Sequence, residues 1–378
     1  MLTQRGMRVQ SDFEIFLVSA PGLEGVLCDE VRALGLREPV AVPGGVVTTA
    51  GWQAVMRANL TVRGASRVLA RIGSFPAVHL SQLDKRARKL DWRRFLRADV
   101  QVRVEASCKK SKIYHSGAAA ERVGKAIAAA GVPISAGAEL RVLVRIDNDV
   151  VTVSVDTSGE ALHKRGHKQA VNKAPLRETL AALFLRQCGF SGDETVFDPM
   201  CGSGTFVIEA AEIAAGLKPG RSRDFAFQQL SGFDREAWAK LRVAGRAGAT
   251  QLQFFGRDRD AGAVRMAARN AERAGVGKLC AFEQRAIADV QPPAGGPGLV
   301  MLNPPYGGRL GDRKALLPLY RSIGQVLQAR FSGWRVGMVT SAPELAGATG
   351  LPFGPPPEPV DNGGIRVRCY STAVLDEV

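Results

Sequence analysis

Apolar and polar positions repeat in two different rhythms along the chain, and the change of rhythm divides it. Phe13 to Ser19 is dense enough in apolar residues to read as a strand, closed by Pro21-Gly22. Leu23, Val26, Leu27, Val31 and Leu34 then recur at helical spacing up to Gly35, a natural helix end. Val40 to Thr49 reads as short strands around a Gly-Gly break, Trp52 to Leu60 as a helix, and Arg67 to Ile72 as a strand. Further on, helical spacing returns near Leu80 to Leu90, and Val100, Val102 and Val104 alternate with polar residues as in a half-buried strand. An Ala-rich helix over Glu121 to Ala130 stops at Gly131, and Leu140 to Ile146 and Val150 to Val155 form a hairpin around Asp147-Asn148-Asp149. From Pro175 onward the rhythm changes. A helix (Leu176 to Gln187), a strand ending in Asp198, a helix (Phe206 to Ala215), a strand (Leu252 to Phe255), a helix (Ala261 to Ala274), a strand around Cys280 to Phe282 and a strand at Leu299 to Leu302 follow in turn. Strands alternating with helices predict a parallel sheet covered on both faces, with ligands gathering beyond the carboxyl ends of the strands.

Composition adds a partner to this picture. The 378 residues carry a formal charge of +15, and residues 85–125 hold thirteen Lys/Arg against four Asp/Glu. A second basic cluster comprises His163, Lys164, Arg165, His167, Lys168 and Lys173. Clustered excess positive charge favours a polyanion, here nucleic acid, over a merely solubilising surface. No strongly amphipathic basic helix carries the clusters, which argues against a membrane surface. No run of about 18 apolar residues exists to span a bilayer. Met1 to Gln10 is polar and basic with no apolar stretch after it, so no signal peptide is expected. The six cysteines are scattered without a C-x-x-C pair, so neither a disulfide framework nor a structural zinc site is expected, and a reducing cytoplasm fits.

Three turns carry candidate chemistry. In Asp198-Pro199-Met200-Cys201-Gly202-Ser203-Gly204-Thr205 a strand runs through a Gly-x-Gly turn into a helix N-terminus. Glycines admit close approach of a ligand, and the helix amides favour its carboxylate. The turn lacks the Lys of a P-loop and the third Gly of the dinucleotide fingerprint. It suits S-adenosylmethionine better, with Asp198 answering the ammonium directly or through water. In Gly256-Arg257-Asp258-Arg259-Asp260 an acidic residue after the next strand can accept hydrogen bonds from ribose hydroxyls. Asp258 is preferred, because Asp260 suits the cap of the helix starting at Ala261. The third turn is Asn303-Pro304-Pro305-Tyr306. An exocyclic base amine is a poor nucleophile because its lone pair is delocalised into the ring. The Asn303 side-chain oxygen and the Pro304 carbonyl can each accept one amine hydrogen and aim that lone pair at a methyl sulfonium. Pro304 and Pro305 stiffen the backbone, and Tyr306 can stack on the extruded base.

Leu162-His163-Lys164-Arg165-Gly166-His167, Ala174-Pro175-Leu176-Arg177-Glu178-Thr179, the Asp198 turn and Asn303-Pro-Pro-Tyr-Gly together resemble the THUMP-domain RNA guanine-N2 methyltransferases, above all the bacterial 23S ribosomal RNA family in its half-length form. Asp156-Thr157-Ser158-Gly159-Glu160, joining the two halves, is similar too. The resemblance implies an N-terminal ferredoxin-like region (1–70), a THUMP RNA-binding domain (71–158) and a Rossmann-like α/β methyltransferase domain (159–378). It adds Pro175, Leu176 and Thr179 to the cofactor site expected from the turns, namely Asp198, Pro199, Met200, Gly202, Gly204, Thr205, Asp258 and Asn303, while the basic clusters make Lys109, Lys110, Lys112, Lys164, Arg165 and Lys168 the expected RNA contacts. No metal is expected. One departure stands out: Ala286 occupies the place after the third sheet strand where the family sets an Asp near the cofactor adenine, and Asp289 follows three residues later. The Asn-Pro-Pro-Tyr chemistry fits adenine N6 as well as guanine N2, so the resemblance alone selects guanine. A tRNA guanine-N2 enzyme, a DNA or RNA adenine methyltransferase, and a non-catalytic RNA-binding assembly factor remain the alternatives.

Overall fold

The computed structural model describes residues 12–167, 176–244, 248, 250–307 and 310–376. It divides into two compact units. The described residues of Met1–Ser19, Cys28–Leu162 and Arg223–Ala244 form the first, and those of Ala20–Leu27, His163–Ser222 and Gly245–Val378 form the second.

The first unit contains β1 (Phe13–Val18), most of α1 (Glu24–Ala33), β2 (Val40–Val42), β3 (Gly45–Ala50), α2 (Trp52–Thr61), β4 (Arg67–Pro76), α3 (Leu80–Ala87), β5 (Val102–Lys109), α4 (Ser116–Ala129), β6 (Leu140–Asp147) and β7 (Val150–Asp156). All seven strands join one sheet in the order β2-β3-β1-β4-β7-β6-β5. Only β5 and β6 run parallel. β4 crosses the boundary expected near residue 70, pairing with β1 on one side and β7 on the other. The ferredoxin-like and THUMP regions therefore share a sheet. Phe13, Trp52 and Phe95 pack with ring centroids 5.1 to 5.9 Å apart at one end of its core. At the far end of β7, Asp156 is buried, accepts from Ser158 N at 2.9 Å, and pairs with Arg67 and Arg141. The similar joining stretch is thus a fixed corner of this sheet.

The remaining elements are α5 (Glu178–Gln187), β8 (Val196–Asp198), α6 (Thr205–Ala214), α7 (Arg235–Val243), β9 (Phe254–Asp258), α8 (Ala261–Ala274), β10 (Cys280–Gln284), β11 (Leu299–Leu302), α9 (Leu310–Arg330), β12 (Arg335–Thr340), α10 (Pro343–Ala348), β13 (Val360–Asn362) and β14 (Ile365–Ser371). Although α7 falls inside the span 159–378, it packs in the first unit with the rest of Arg223–Ala244. There Phe225 stacks on Phe227 at 5.3 Å, Trp238 stands edge-on to both, and Phe227 N donates to Thr157 O at 2.9 Å.

The second unit's sheet has the order β10-β9-β8-β11-β12-β14-β13. β10 through β12 are parallel, and β14 and β13 close the sheet antiparallel. The wholly parallel sheet expected above is therefore mixed at this end. Buried runs such as Leu299–Leu302 belong in the middle strands, covered on both faces. From β8 the chain winds outward through β9 to β10, then returns to β11 on the other side of β8. This reversal opens a crevice beyond the carboxyl ends of β8 and β11.

Candidate active site

A cavity of about 760 Å³ occupies that crevice. Its wall includes Leu176, Asp198 to Ser203, Thr205, Asp258, Ala286, Asn303 to Tyr306 and Ile365.

The glycine turn shapes one side. Gly204 caps α6 with φ +83°, and a Cβ there would lie 3.0 Å from Ala267 Cβ and 3.3 Å from Phe282 Cε1. Only glycine meets both demands. The turn is fastened from two directions. Asn270 Nδ2, fully buried on α8, donates to Ser203 O at 3.0 Å, and Gly202 N donates to Asp258 Oδ2 at 2.9 Å. Asp258 Oδ1 accepts from Asp260 N at 2.9 Å. A carboxylate offers about four lone-pair sites, so two backbone bonds fix Asp258 and leave acceptor capacity for a ligand. Asp260 accepts from Gly262 N at 2.7 Å and caps α8. Asp198 is 3% exposed and accepts from Met200 N at 2.9 Å. Burial holds its carboxyl well above the usual range; the Met200 bond opposes this and the Asp258 charge adds to it.

The Asn-Pro-Pro-Tyr turn forms the other side. Tyr320, on α9, donates to Pro305 O at 3.2 Å and lies 3.3 Å from Thr340 Oγ1; burial pushes its hydroxyl up to about 12. Tyr306 is 9% exposed. Burial raises its phenol, and a hydrogen bond with the Asn362 side chain pulls the other way. Asn303 Oδ1 is buried and has no hydrogen-bond partner among the described residues. Such an orphan acceptor costs about 1–3 kcal/mol, which a stiff turn can sustain where a substrate donor completes it.

Eleven expected site residues therefore meet at one cavity: Leu176, Asp198, Pro199, Met200, Gly202, Thr205, Asp258, Asn303, Pro304, Pro305 and Tyr306. Gly204 supports the turn from behind, Thr179 is buried in α5 away from the wall, and Pro175 lies outside the described residues. Ala286 is on the wall and Asp289 is not. Asn362 and Ile365 went unremarked in the sequence, although Asn362-Gly363-Gly364 is an open hairpin signal.

Lys109, Lys110 and Lys112 are exposed in the first unit, and Lys164 is exposed in the second. Arg165 is a correction. It is 3% exposed and bonded to Glu209, with Glu212 at 3.5 Å, so it cannot face RNA. The carboxylates of α6 claim it, and Arg165 and His167 turn inward from a cluster whose Lys164 stays exposed. Lys168 lies outside the described residues. Among the described residues no group of three or more His, Cys, Asp or Glu could hold a metal, and no helix is long and apolar enough to cross a membrane.

Seven strands in this order, with a glycine turn and a proline turn meeting at the reversal, define a class I methyltransferase. Comparison with known proteins narrows the class. Residues 14–69 match the RlmL ferredoxin-like domain, 77–156 the THUMP domain, and 165–351 the RMKL-like methyltransferase domain, UPF0020. A solved protein of Listeria monocytogenes str. 4b F2365, named as a predicted N6-adenine-specific DNA methylase, is 32% identical with TM-score 0.89, covering 98% of this chain and 99% of that one. A methyltransferase solved with S-adenosylhomocysteine (SAH) is 29% identical with TM-score 0.87, covering 96% and 98%. The ribosomal RNA large subunit methyltransferase K/L of Methylococcus capsulatus is 36% identical over 96% of this chain and 51% of its own length. The chain belongs to the family of RlmL-like THUMP-domain methyltransferases. It spans about half the length of the curated relatives it matches.

Proposed function

We propose that this chain methylates the exocyclic amine of a base in structured RNA, with guanine N2 of 23S ribosomal RNA as the preferred target, in the cytoplasm. The observation that carries this reading is the orphaned Asn303 Oδ1, a buried acceptor on the wall of a cavity that a glycine turn opens to a ligand. The residues present fit S-adenosylmethionine. Asp198 answers its ammonium, Asp258 its ribose hydroxyls, and the turn from Pro199 to Thr205 takes the amino-acid portion. Bound there, S-adenosylmethionine supplies a methyl group on a positively charged sulfur. Asn303 Oδ1 and the Pro304 carbonyl each accept one hydrogen of the base amine, and Tyr306 stacks on the base. Positioning provides most of the acceleration, and the amine proton leaves to water without a strong base. Lys109, Lys110 and Lys112 hold phosphates. The protein named as large subunit methyltransferase K/L supports ribosomal RNA. The one named as an adenine-specific DNA methylase favours a second reading, N6 of adenine.

The test incubates the chain and S-adenosylmethionine with unmodified 23S RNA, tRNA and DNA, then digests each to nucleosides for mass spectrometry. N2-methylguanosine in 23S RNA is expected; N6-methyladenosine alone would replace guanine by adenine, and no methylated nucleoside in any of them would end the reading. Asn303→Ala is expected to lower turnover by about a hundredfold or more, as loss of a transition-state hydrogen-bond partner does. S-adenosylmethionine affinity should stay within about twofold, because Asn303 Oδ1 bonds the base amine while Asp198 and Asp258 hold the cofactor.

A further inference from the structure

One aromatic side chain in the first unit has no place in its folding. Tyr114 is 84% exposed, the only aromatic among the exposed large apolar side chains of the described residues. Its neighbours in sequence are fixed. Ile113 is 4% exposed and anchors the loop to the core. His115 Nδ1 accepts from Ala118 N at 3.0 Å and caps α4, which moves the helix start to Ser116 from the expected Glu121. Upstream, Ser111 Oγ donates to Lys109 O at 2.7 Å, Asp149 N donates to Ser111 Oγ at 3.0 Å, and Lys112 N donates to Asp149 Oδ1 at 2.7 Å. Lys110 holds φ 45°, a conformation a lysine seldom adopts. Asn148 and Asp149 are also left-handed, but the tight hairpin they form explains them.

The loop thus spends backbone strain and several hydrogen bonds to present a ring that folding leaves in water. Lys109, Lys110 and Lys112, all exposed, precede it within five residues of the chain. The nearby acids are engaged: Asp147 by Arg145 at 2.7 Å, Asp149 by the Lys112 amide. An exposed aromatic close in sequence to lysines suits an unpaired base, the ring stacking on the base while ammonium groups take the flanking phosphates. Because the backbone that carries the ring is already fixed, binding costs the freedom of the side chain alone. The lysines favour this over a protein partner.

We propose that Tyr114 is a stacking platform for one unpaired nucleotide of the RNA, with Lys109, Lys110 and Lys112 holding the adjoining backbone. This rests on the RNA reading above and adds that the first unit grips a single-stranded segment through a base.

The experiment measures binding of the full chain, by fluorescence anisotropy across a salt series, to a labelled single-stranded RNA of about a dozen nucleotides and to a blunt duplex of the same length. Tyr114→Ala is expected to weaken single-strand binding by about 5- to 100-fold with an unchanged salt slope, to leave duplex binding within about twofold because a paired base offers no open face, and to leave the melting temperature unchanged. Tyr114→Phe, which keeps the ring, should bind like the original. Equal affinity for Tyr114→Ala, equal loss on strand and duplex, loss in Tyr114→Phe, or a lowered melting temperature would each overturn the proposal. Tight binding of an acidic protein instead, abolished by Tyr114→Ala, would do so too. If the unaltered chain binds neither RNA, the RNA reading falls with it; if it binds and Tyr114→Ala changes nothing, only the platform falls.

Discussion

Lys109-Lys110-Ser111-Lys112 and His163-Lys164-Arg165-Gly166-His167 look alike in the sequence, and the structure sends them to opposite fates. The three lysines of the first lie exposed just before Tyr114, in a loop held by bonds that leave the ammonium groups in water. In the second, Arg165 and His167 turn inward while Lys164 stays exposed. Arg165 and His167 are 3% and 7% exposed, and they meet Glu209 and Glu212, three residues apart on α6. Burial pulls the Arg165 guanidinium down, but Glu209 and Glu212 outweigh it and leave it raised. Burial pulls His167 down, with Glu212 opposing. Arg221 also pairs with Glu212, and the His167 carbonyl accepts from Arg273 at 2.8 Å. The helix that receives Arg165 is the one whose N-terminus forms the glycine turn of the cofactor cavity. Positive charge therefore stands in two settings here: exposed in one unit, where the proposed RNA grip uses it, and buried in ion pairs on α6 in the other.

The strongest way to break this contrast is Arg165→Ala. Removing one partner of a buried ion pair strands the other, at a cost of about 3–5 kcal/mol. Denaturant unfolding should show that loss, while Lys109→Ala should stay within about 0.5 kcal/mol. A loss under about 1 kcal/mol for Arg165→Ala would mean that the pair is solvated and the two clusters are alike after all.

The converse change removes the free charge. Lys109, Lys110 and Lys112 to Ala together should lower RNA affinity by about tenfold or more at moderate salt and reduce the slope of log affinity against log salt by about two to three, one phosphate contact for each lysine. Stability should not change. An unaltered slope would put the phosphate contacts elsewhere on the chain.

The contrast also marks where sequence reading reaches its limit. The Asp198 turn, the Asn303 turn, the Asp260 cap and the Asp147–Val150 hairpin were legible because each is governed by backbone rules acting within a few residues. Asp258 was separable from Asp260 for the same reason. The burial of Arg165 was not legible, because its partner Glu209 stands 44 residues away and becomes a neighbour only when α6 packs. Nor was the transfer of Arg223–Ala244 to the first unit, which depends on Phe225, Phe227 and Trp238 finding one another in three dimensions. β4 gave no local sign that it would bond on both edges, and an alternating strand does not say how many partners it has. Tyr114 was missed because a single aromatic in sequence looks the same whether it fills a core or stands in water.

Asp198 supplies a third kind of charge, neither free in solvent nor matched by a buried cation among the described residues. Its raised carboxyl, set by burial against the Met200 amide bond and aggravated by Asp258, has a definite consequence for pH. A folded value above the unfolded one means that Asp198 contributes most to stability below the ordinary aspartate range, and that this contribution is lost as pH rises through the raised value. A bound ammonium favours the carboxylate, so binding lowers the raised value and expels a proton. Titration calorimetry of the chain with S-adenosylmethionine, in two buffers of different ionisation enthalpy, should detect release of up to about one proton. The release should grow as pH is lowered toward the raised value and vanish well above it, with affinity falling as pH is lowered over the same range. Asp198→Asn should release none and bind more weakly at every pH. Proton uptake, or an affinity indifferent to pH in the unaltered chain, would show that Asp198 does not face the ammonium and would leave the contrast with two kinds of charge instead of three.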